Sequence, residues 1–336
     1  MSVAPFFSDI FQNINTLLNK DFFHNVPTAV NISTTTKSGL KFNVNGKQLS
    51  KDAPLQTGIE ARFFDKSTGL LLSQGWTNKN RLDTRIELSS LAPGLKTDFF
   101  TSIIPNQNKF VASESTSMSN TPNTTTTTTN ITAAANTGRH NNNSTVDEKL
   151  ESVSNTTKDM IKTAIVNVSF VQPFFAAKAT FDLLKKPSII GNLTLAHDGF
   201  VAGTEVGYDL TSGFIYRYAV ALAYRTKGCN VGISINDEQL TTASFFQNVS
   251  KSLQVGSKAT LNPKLGSNVN VEFATKYLPD PSSQIKAKIT DVGKLTLSYK
   301  QNLKAGVTLG IGASLDALKL DEPLQKVGWS LSFVTP

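Results

Sequence analysis

The side chains that usually carry enzymatic chemistry are scarce and scattered in this chain. His24, His140 and His197 stand far apart with no HExxH or HxH spacing, so no histidine metal centre can be read from them. Cys229 is the single cysteine, which excludes an intrachain disulfide and any zinc site built on cysteine pairs. No GxSxG, P-loop or Ser/His/Asp spacing supports nucleophilic catalysis. Gly310-Ile-Gly312 could open a dinucleotide loop, but the third glycine is missing and no helical pattern follows. The sequence therefore predicts a protein that is not an enzyme and uses neither metal nor cofactor.

What remains is the chemistry of charge. The chain has 33 Lys+Arg against 25 Asp+Glu, a formal +8 in 336 residues. Along its extended runs these charges keep to one parity. Fifteen cations lie there: Lys41, Lys47, Arg62, Arg81, Arg85, Lys96, Lys178, Arg217, Arg225, Lys258, Lys276, Lys286, Lys288, Lys294 and Lys300. Eight acids share it: Glu60, Asp83, Glu87, Asp98, Asp182, Glu205, Asp209 and Glu272. The other parity carries none. The bases are spread over all the runs and form no single patch, so nucleic acid is not the expected partner. A wet interior with an excess of positive charge attracts small anions.

The elements that must position these charges are strands. From residue 28 onward the hydrophobic period is two: Leu40, Phe42 and Val44 alternate with Lys41, Asn43 and Asn45, and Leu82, Thr84, Ile86 and Leu88 alternate with charged residues. Such runs recur to Val327–Phe333, separated by turn signals such as Asp65 to Gly69 and Asp291 to Gly293. About 19 runs are predicted, with 18 or 20 also compatible. Their length suits a tilted membrane strand of about 9–11 residues, whereas globular strands are nearer five or six, as an order of magnitude. The apolar parity mixes Thr, Ala and Gly with aromatics, unlike the tightly packed inner face of a soluble sandwich. The prediction is an all-β membrane protein, a closed transmembrane barrel. No window reaches 18 consecutive apolar residues, so neither a transmembrane helix nor a secretory segment is expected, and a barrel passes the same test. The first arginine is Arg62, with Asp9 and Asp21 ahead of it, so an Arg-rich presequence is not expected either.

Two stretches break the pattern. Phe6, Phe7, Ile10, Phe11, Ile14, Leu17 and Leu18 recur at three and four, which predicts one amphipathic helix, capped by Ser8 or Asp9 and with Lys20 complementing its dipole. It could pack on a core or lie on a membrane surface. Residues 113–157 hold 28 Ser, Thr or Asn in 45 positions, too little apolar surface to offset the entropy of ordering. They are read as a disordered insertion whose deletion leaves the barrel intact, and sequons such as Asn130 and Asn143 are attributed to composition. The organisation is thus residues 1–25 for helix and hinge and 26–336 for the barrel, interrupted at about 113–157.

The segment from Tyr277 through Asp280, Ser283, Ala287, Lys288 and Asp291 to Tyr299 resembles the signature of the eukaryotic mitochondrial porins, or voltage-dependent anion channels, and of the fungal members most closely. Leu17-Leu18-Asn19-Lys20-Asp21, Gln74-Gly75-Trp76, Pro93-Gly94-Leu95-Lys96, Gln172-Pro173-Phe174-Phe175, Phe245-Phe246-Gln247-Asn248 and the final Lys326-Val-Gly328-Trp329-Ser-Leu331-Ser-Phe333 extend the similarity over nearly the whole chain. The resemblance implies a 19-stranded barrel with the helix in the lumen, located in the mitochondrial outer membrane. It implies a voltage-gated, weakly anion-selective channel for small metabolites and nucleotides. Pore-lining and voltage-sensing roles fall to Lys20, Lys41, Arg62, Arg81, Arg85, Lys96, Arg217, Arg225 and Lys258. Nucleotide contacts are suggested at Lys20, Gly94, Leu95, Lys96, Lys294, Leu295, Thr296 and the segment Gly312 to Asp316. Membrane lipids, permeating ATP and ADP, a homo-oligomer and cytosolic kinases are the implied partners. The alternatives are a protein-import pore of the same fold, which would favour a more acidic lumen, and a barrel acting mainly as an interaction platform. The chain departs from the family at Gln74, where many animal members place a lipid-facing Glu. It departs also at Gln12 and Asn15, often basic, and at Asp21-Phe22-Phe23-His24, which replaces a Gly-rich hinge and should be stiffer.

Overall fold

The computed structural model describes residues 3–50, 53–105, 161–184, 186–265, 269–319 and 326–335; the predicted insertion at 113–157 lies outside them. The described residues hold 19 strands: β1 (Thr28–Thr35), β2 (Lys41–Gln48), β3 (Gln56–Asp65), β4 (Leu70–Thr77), β5 (Arg81–Ala92), β6 (Leu95–Ile103), β7 (Ile161–Val171), β8 (Phe175–Asp182), β9 (Ser188–His197), β10 (Phe200–Asp209), β11 (Ile215–Arg225), β12 (Cys229–Asn236), β13 (Thr241–Asn248), β14 (Leu253–Leu261), β15 (Val269–Tyr277), β16 (Ser283–Thr290), β17 (Lys294–Lys304), β18 (Val307–Asp316) and β19 (Lys326–Thr335). Each pairs antiparallel with its neighbours in sequence, and β1 pairs parallel with β19. That last ladder leaves the sheet without an edge, which a spanning sheet requires because lipid offers no partner for a free N–H or C=O. Turns between strands close on short polar side chains: Asp65 accepts hydrogen bonds from the Ser67 amide at 2.9 Å and the Thr68 hydroxyl at 2.8 Å.

The register carries one face all the way round. Lys41 opposes Arg62, Arg62 opposes Ser73, and Ser73 opposes Arg85. On the far side Lys288 opposes Thr296, and Lys294 opposes Asp316. This face looks into the barrel, since its positions Gly203, Gly256 and Gly310 touch the N-terminal segment. The fifteen cations and eight acids of the polar parity all fall on it. The opposite parity turns Ile59, Phe63, Trp76, Ile86, Leu193, Leu222, Ile233, Phe273, Leu297, Ile311 and Trp329 outward, all exposed. An apolar exterior around a polar interior is the inverse of a soluble barrel and matches a lipid solvent.

The N-terminal segment differs from the single helix predicted. A 3-10 turn at Phe7–Asp9 is followed by a break at Ile10–Phe11 and then by α1 (Gln12–Asn19). Neither Ser8 nor Asp9 caps α1: Phe11 occupies the N-cap position without a side-chain bond, and the Ser8 hydroxyl turns to the Asp9 carboxylate at 3.2 Å. The apolar stripe nevertheless does what its spacing demands. Ile10, Ile14, Leu17 and Leu18 are buried, packing against Val201, Ala221, Phe246 and Ala274 of the inner wall. At roughly 1.5–3 kcal/mol for each large aliphatic side chain fully buried, this burial holds the helix on the wall. Propensity alone would not hold an eight-residue helix.

Candidate functional site

The candidate site is the lumen, and its two sides are built differently. On the β3–β6 side the charges neutralise one another between neighbouring positions. Arg62 pairs with Glu60, Arg81 with Asp83 and Arg85 with Asp98, each at 2.8 Å, and Lys96 lies 3.6 Å from Glu87. The Arg85–Asp98 pair is bidentate, with its second contact at 2.9 Å, and Asn167 donates to the same carboxylate at 3.2 Å. The four cations keep about half of their side-chain surface exposed, so they line an aqueous passage. Farther round, Arg217 pairs with Glu205 at 2.8 Å.

On the β14–β17 side the lumen parity carries Lys258, Lys276, Lys286, Lys288, Lys294 and Lys300 against a single acid, Glu272. Lys288 bonds Glu272 at 2.9 Å, and Lys258 faces the same carboxylate in register. The remaining imbalance is met in part by the N-terminal segment. Lys286, only 2% exposed, donates to the carbonyls of Thr16 at 3.2 Å and Lys20 at 2.7 Å, and lies 4.7 Å from the Phe22 ring centroid. Lys300 lies 3.4 Å from the Asp21 carboxylate, and the Ser298 hydroxyl donates to the Asp21 carbonyl. The carbonyls at the end of α1 thus receive a cation from the wall. Lys20, predicted to complement the dipole, is exposed at the C-cap position, and the hydrogen bonds to these carbonyls come from Lys286.

The break in the helix has a similar cause. Arg225 donates to the carbonyls of Asp9 at 2.9 Å and Ile10 at 3.3 Å, and Asn230 donates to Ile10 at 2.9 Å. Carbonyls satisfied from the wall no longer depend on the next helical turn. Arg225, predicted to line the pore, is therefore half-buried against the helix; the difference arises because the N-terminal segment lies directly over it.

Between α1 and β1 the chain has little slack. Asp21 adopts the left-handed conformation at φ 59°, the Phe22 and Phe23 rings lie against the wall at Lys286 and Gly310, and β1 begins at Thr28. The His24 imidazole is held below its ordinary pKa, chiefly by burial and then by the charges of Lys294, Lys326 and Lys288. Phe23 lies over Gly310, Gly312 and Gly328, three inward-facing glycines of β18 and β19.

Of the other predicted residues, Lys41 is exposed on the inner face beside Arg62 in register. The suggested nucleotide contacts do not converge. Gly94, Leu95 and Lys96 lie at the β5–β6 turn, at the mouth where the C-terminal strand ends. Lys294, Leu295, Thr296 and Asp316 begin β17 and end β18 at the opposite mouth, with Lys294 facing Asp316. Gly94 has a structural duty: φ is 83°, and a Cβ there would run into the Val171 carbonyl. Leu295 turns to the outer face, and Thr296 is buried in the inner one. The signature residues build one hairpin. Ser283 donates through its amide to the Asp280 carbonyl at 3.2 Å, the Asp291 carboxylate receives the Val292 amide at 2.9 Å, Tyr277 ends β15, Ala287 faces outward and Lys288 inward. The sequence reading gave no contact with the helix to Lys286, Asn230 or Ser298 of the wall, nor any site role to Asp21 of the N-terminal segment. Parity put the first three inside, but nothing local distinguishes a lysine under a helix from one in water.

A family model described as eukaryotic porin matches residues 3–146 and 115–328. "Non-selective voltage-gated ion channel 1" of Saccharomyces cerevisiae is 47% identical over 98% of this chain and 98% of its own length. "Mitochondrial outer membrane protein porin" of Candida albicans is 39% identical, covering 97% of this chain and 98% of its own. "Non-selective voltage-gated ion channel VDAC1" of Rattus norvegicus is 23% identical over 99% of both chains.

Proposed function

The chain belongs to the eukaryotic porin family, and from that premise we propose the function that its lumen supports best. It is a voltage-gated channel of the mitochondrial outer membrane, passing small metabolites through a 19-stranded barrel. The family is one of channels rather than enzymes, and conduction through a preformed aqueous passage needs no bond to be made or broken. Membrane lipids bathe its apolar exterior and metabolites cross its interior.

The preference among permeants is weakly anionic, with nucleotides such as ATP and ADP among the metabolites carried. The single observation behind this is the inner face, with fifteen cations against eight acids in an otherwise polar passage. The imbalance is modest, which accords with relatives named non-selective channels. It also argues against an import pore for basic segments, which a more acidic lumen would serve. Voltage sensing is assigned to inner-face cations that keep solvent exposure, Lys41, Arg62, Arg81, Arg85, Lys96, Arg217 and Lys258, together with Lys20 on the helix. A homo-oligomer and docking of cytosolic kinases are compatible with the exposed wall and mouths.

The test is the reversal potential of the purified channel across a KCl gradient. Chloride should be preferred over potassium in the fully open state. The triple replacement Lys20→Glu, Lys96→Glu and Lys258→Glu should move the potential toward cations. Cation preference in the unaltered channel would overturn the assignment of selectivity to these residues.

A further inference from the structure

Five of the wall positions that the N-terminal segment touches are glycine, Gly203, Gly256, Gly310, Gly312 and Gly328, but these glycines are not equivalent. A Cβ on Gly203 would stand 2.8 Å from Ile10 Cδ1, and one on Gly256 would stand 2.5 Å from Ile14 Cδ1. Those obstacles are the ends of flexible side chains, which can turn aside. At Gly310 the obstacle is the whole Phe23 ring. At Gly312 it is backbone, the amide nitrogens of His24 at 2.7 Å and Phe23 at 2.8 Å, and at Gly328 it is the carbonyls of Phe23 and Val26. Gly312 and Gly328 face each other across β18–β19, with Gly310 next along the same face, so the three form one trough. The backbone can approach this closely only where the wall has no side chain.

Two further contacts fix the same segment. Asp21, left-handed without being glycine, is clasped through its carbonyl by Ser298 and through its carboxylate by Lys300. After Val26, the Pro27 carbonyl accepts the Trp329 amide at 3.1 Å, so the chain is tied to β19 before β1 begins. A hinge needs residues free to change φ and ψ, and these are held from both ends.

We propose that Asp21–His24 is a fixed anchor rather than a hinge, and that Phe23 and its glycine trough are positioning residues setting where the helix lies in the pore, and thereby the open width. The proposal rests on the channel reading above. In planar bilayers, Gly312→Ala and Gly328→Ala push backbone off the wall and should lower the open-state conductance and shift closure to smaller voltages. Gly75→Ala, on the inner face of β4 with no neighbour closer than 3.9 Å to the added carbon, should conduct and gate as the unaltered channel does. Gly310→Ala should be impaired because it meets the ring, and adding Phe23→Ala should return it to the behaviour of Phe23→Ala alone. Gly312→Ala should gain no such rescue.

Phe23→Ala introduces no bulk, so it tests the anchor even if a glycine variant fails to assemble. It should shift the closing voltage and expose residues 3–20 to protease in the purified barrel. Unaltered conductance, gating and protease resistance in Phe23→Ala would overturn the anchor, as would a Gly310→Ala defect indifferent to Phe23→Ala. A purified unaltered barrel that does not conduct would instead overturn the channel reading, with the protease comparison still deciding the anchor.

Discussion

The β3–β6 wall and the β14–β19 wall share one alternation of polar and apolar residues, yet they balance charge by different means. Across β3–β6 each inner cation has an acid one or two positions away on its own or an adjacent strand, so this wall is complete without the helix. Across β14–β19 the inner lysines outnumber the acids, and four glycines, Gly256, Gly310, Gly312 and Gly328, replace side chains altogether. That wall is completed by a segment more than 200 residues away in sequence, whose carbonyls and Asp21 meet Lys286, Lys300 and Ser298. A strand pattern thus specifies which face is wet, and the inventory of that face specifies what else must lie on it.

The largest expected effect asks whether the difference is confined to the lumen. Ile86→Arg on β5 and Leu297→Arg on β17 both put a charge toward lipid, and each should cost about 2–4 kcal/mol in barrel stability if near the bilayer midplane. Equal losses in denaturant unfolding from lipid would sharpen the comparison, since the outer faces are alike. A mild effect at either would mean its face is misassigned.

Smaller changes should separate the walls. Lys286→Met removes two hydrogen bonds from a charged donor at the end of α1, and a loss of roughly 2 kcal/mol is expected from the docked state of the helix. It should be visible as protease cleavage within residues 3–20. Arg85→Met removes an exposed pair partner, for which about 0.2–1 kcal/mol is typical, and it should leave the helix protected. If Arg85→Met releases the helix as readily as Lys286→Met, the two walls are not distinct.

The smallest effect is that of pH. His24 titrates below its ordinary 6.5 because it is buried beside Lys288 of β16, Lys294 of β17 and Lys326 of β19. A histidine with a depressed folded pKa contributes stability that is present above the unfolded value and lost as pH falls through the folded one. Acidification below about 6.5 should therefore loosen the anchor, and His24→Gln should flatten the dependence, read as protease protection of the helix between pH 7 and 5. A loosening that appears on raising the pH would contradict the assignment.

Much of this was legible beforehand. The strand runs fall where the period of two put them: the alternation at Lys41 to Asn45 lies in β2, that at Leu82 to Leu88 in β5, and Val327–Phe333 in β19. The inner face follows too, because alternation is local and survives any long-range arrangement. The helix was legible as an apolar stripe but not in its break, because a cap preference at Ser8 or Asp9 is weaker than Arg225 and Asn230 reaching the carbonyls from the wall. The second cation at the end of α1 was not legible for the same reason: Lys20 is near in sequence, whereas Lys286 is near in space.

The sequence by itself therefore determined the elements, the two faces of the sheet and the sign of the interior, since each is written in a repeat of two or in a sum of charges. Only the tertiary structure decided which charges remain open to the pore. The parallel pairing of β1 with β19 brings the trough of Gly310, Gly312 and Gly328 beside the start of the barrel, where Phe23 can enter it. The same closure places Gly94–Lys96 at one mouth and Lys294 with Asp316 at the other. No local pattern encodes such distances, because they depend on how many strands close the ring and in which direction each one runs.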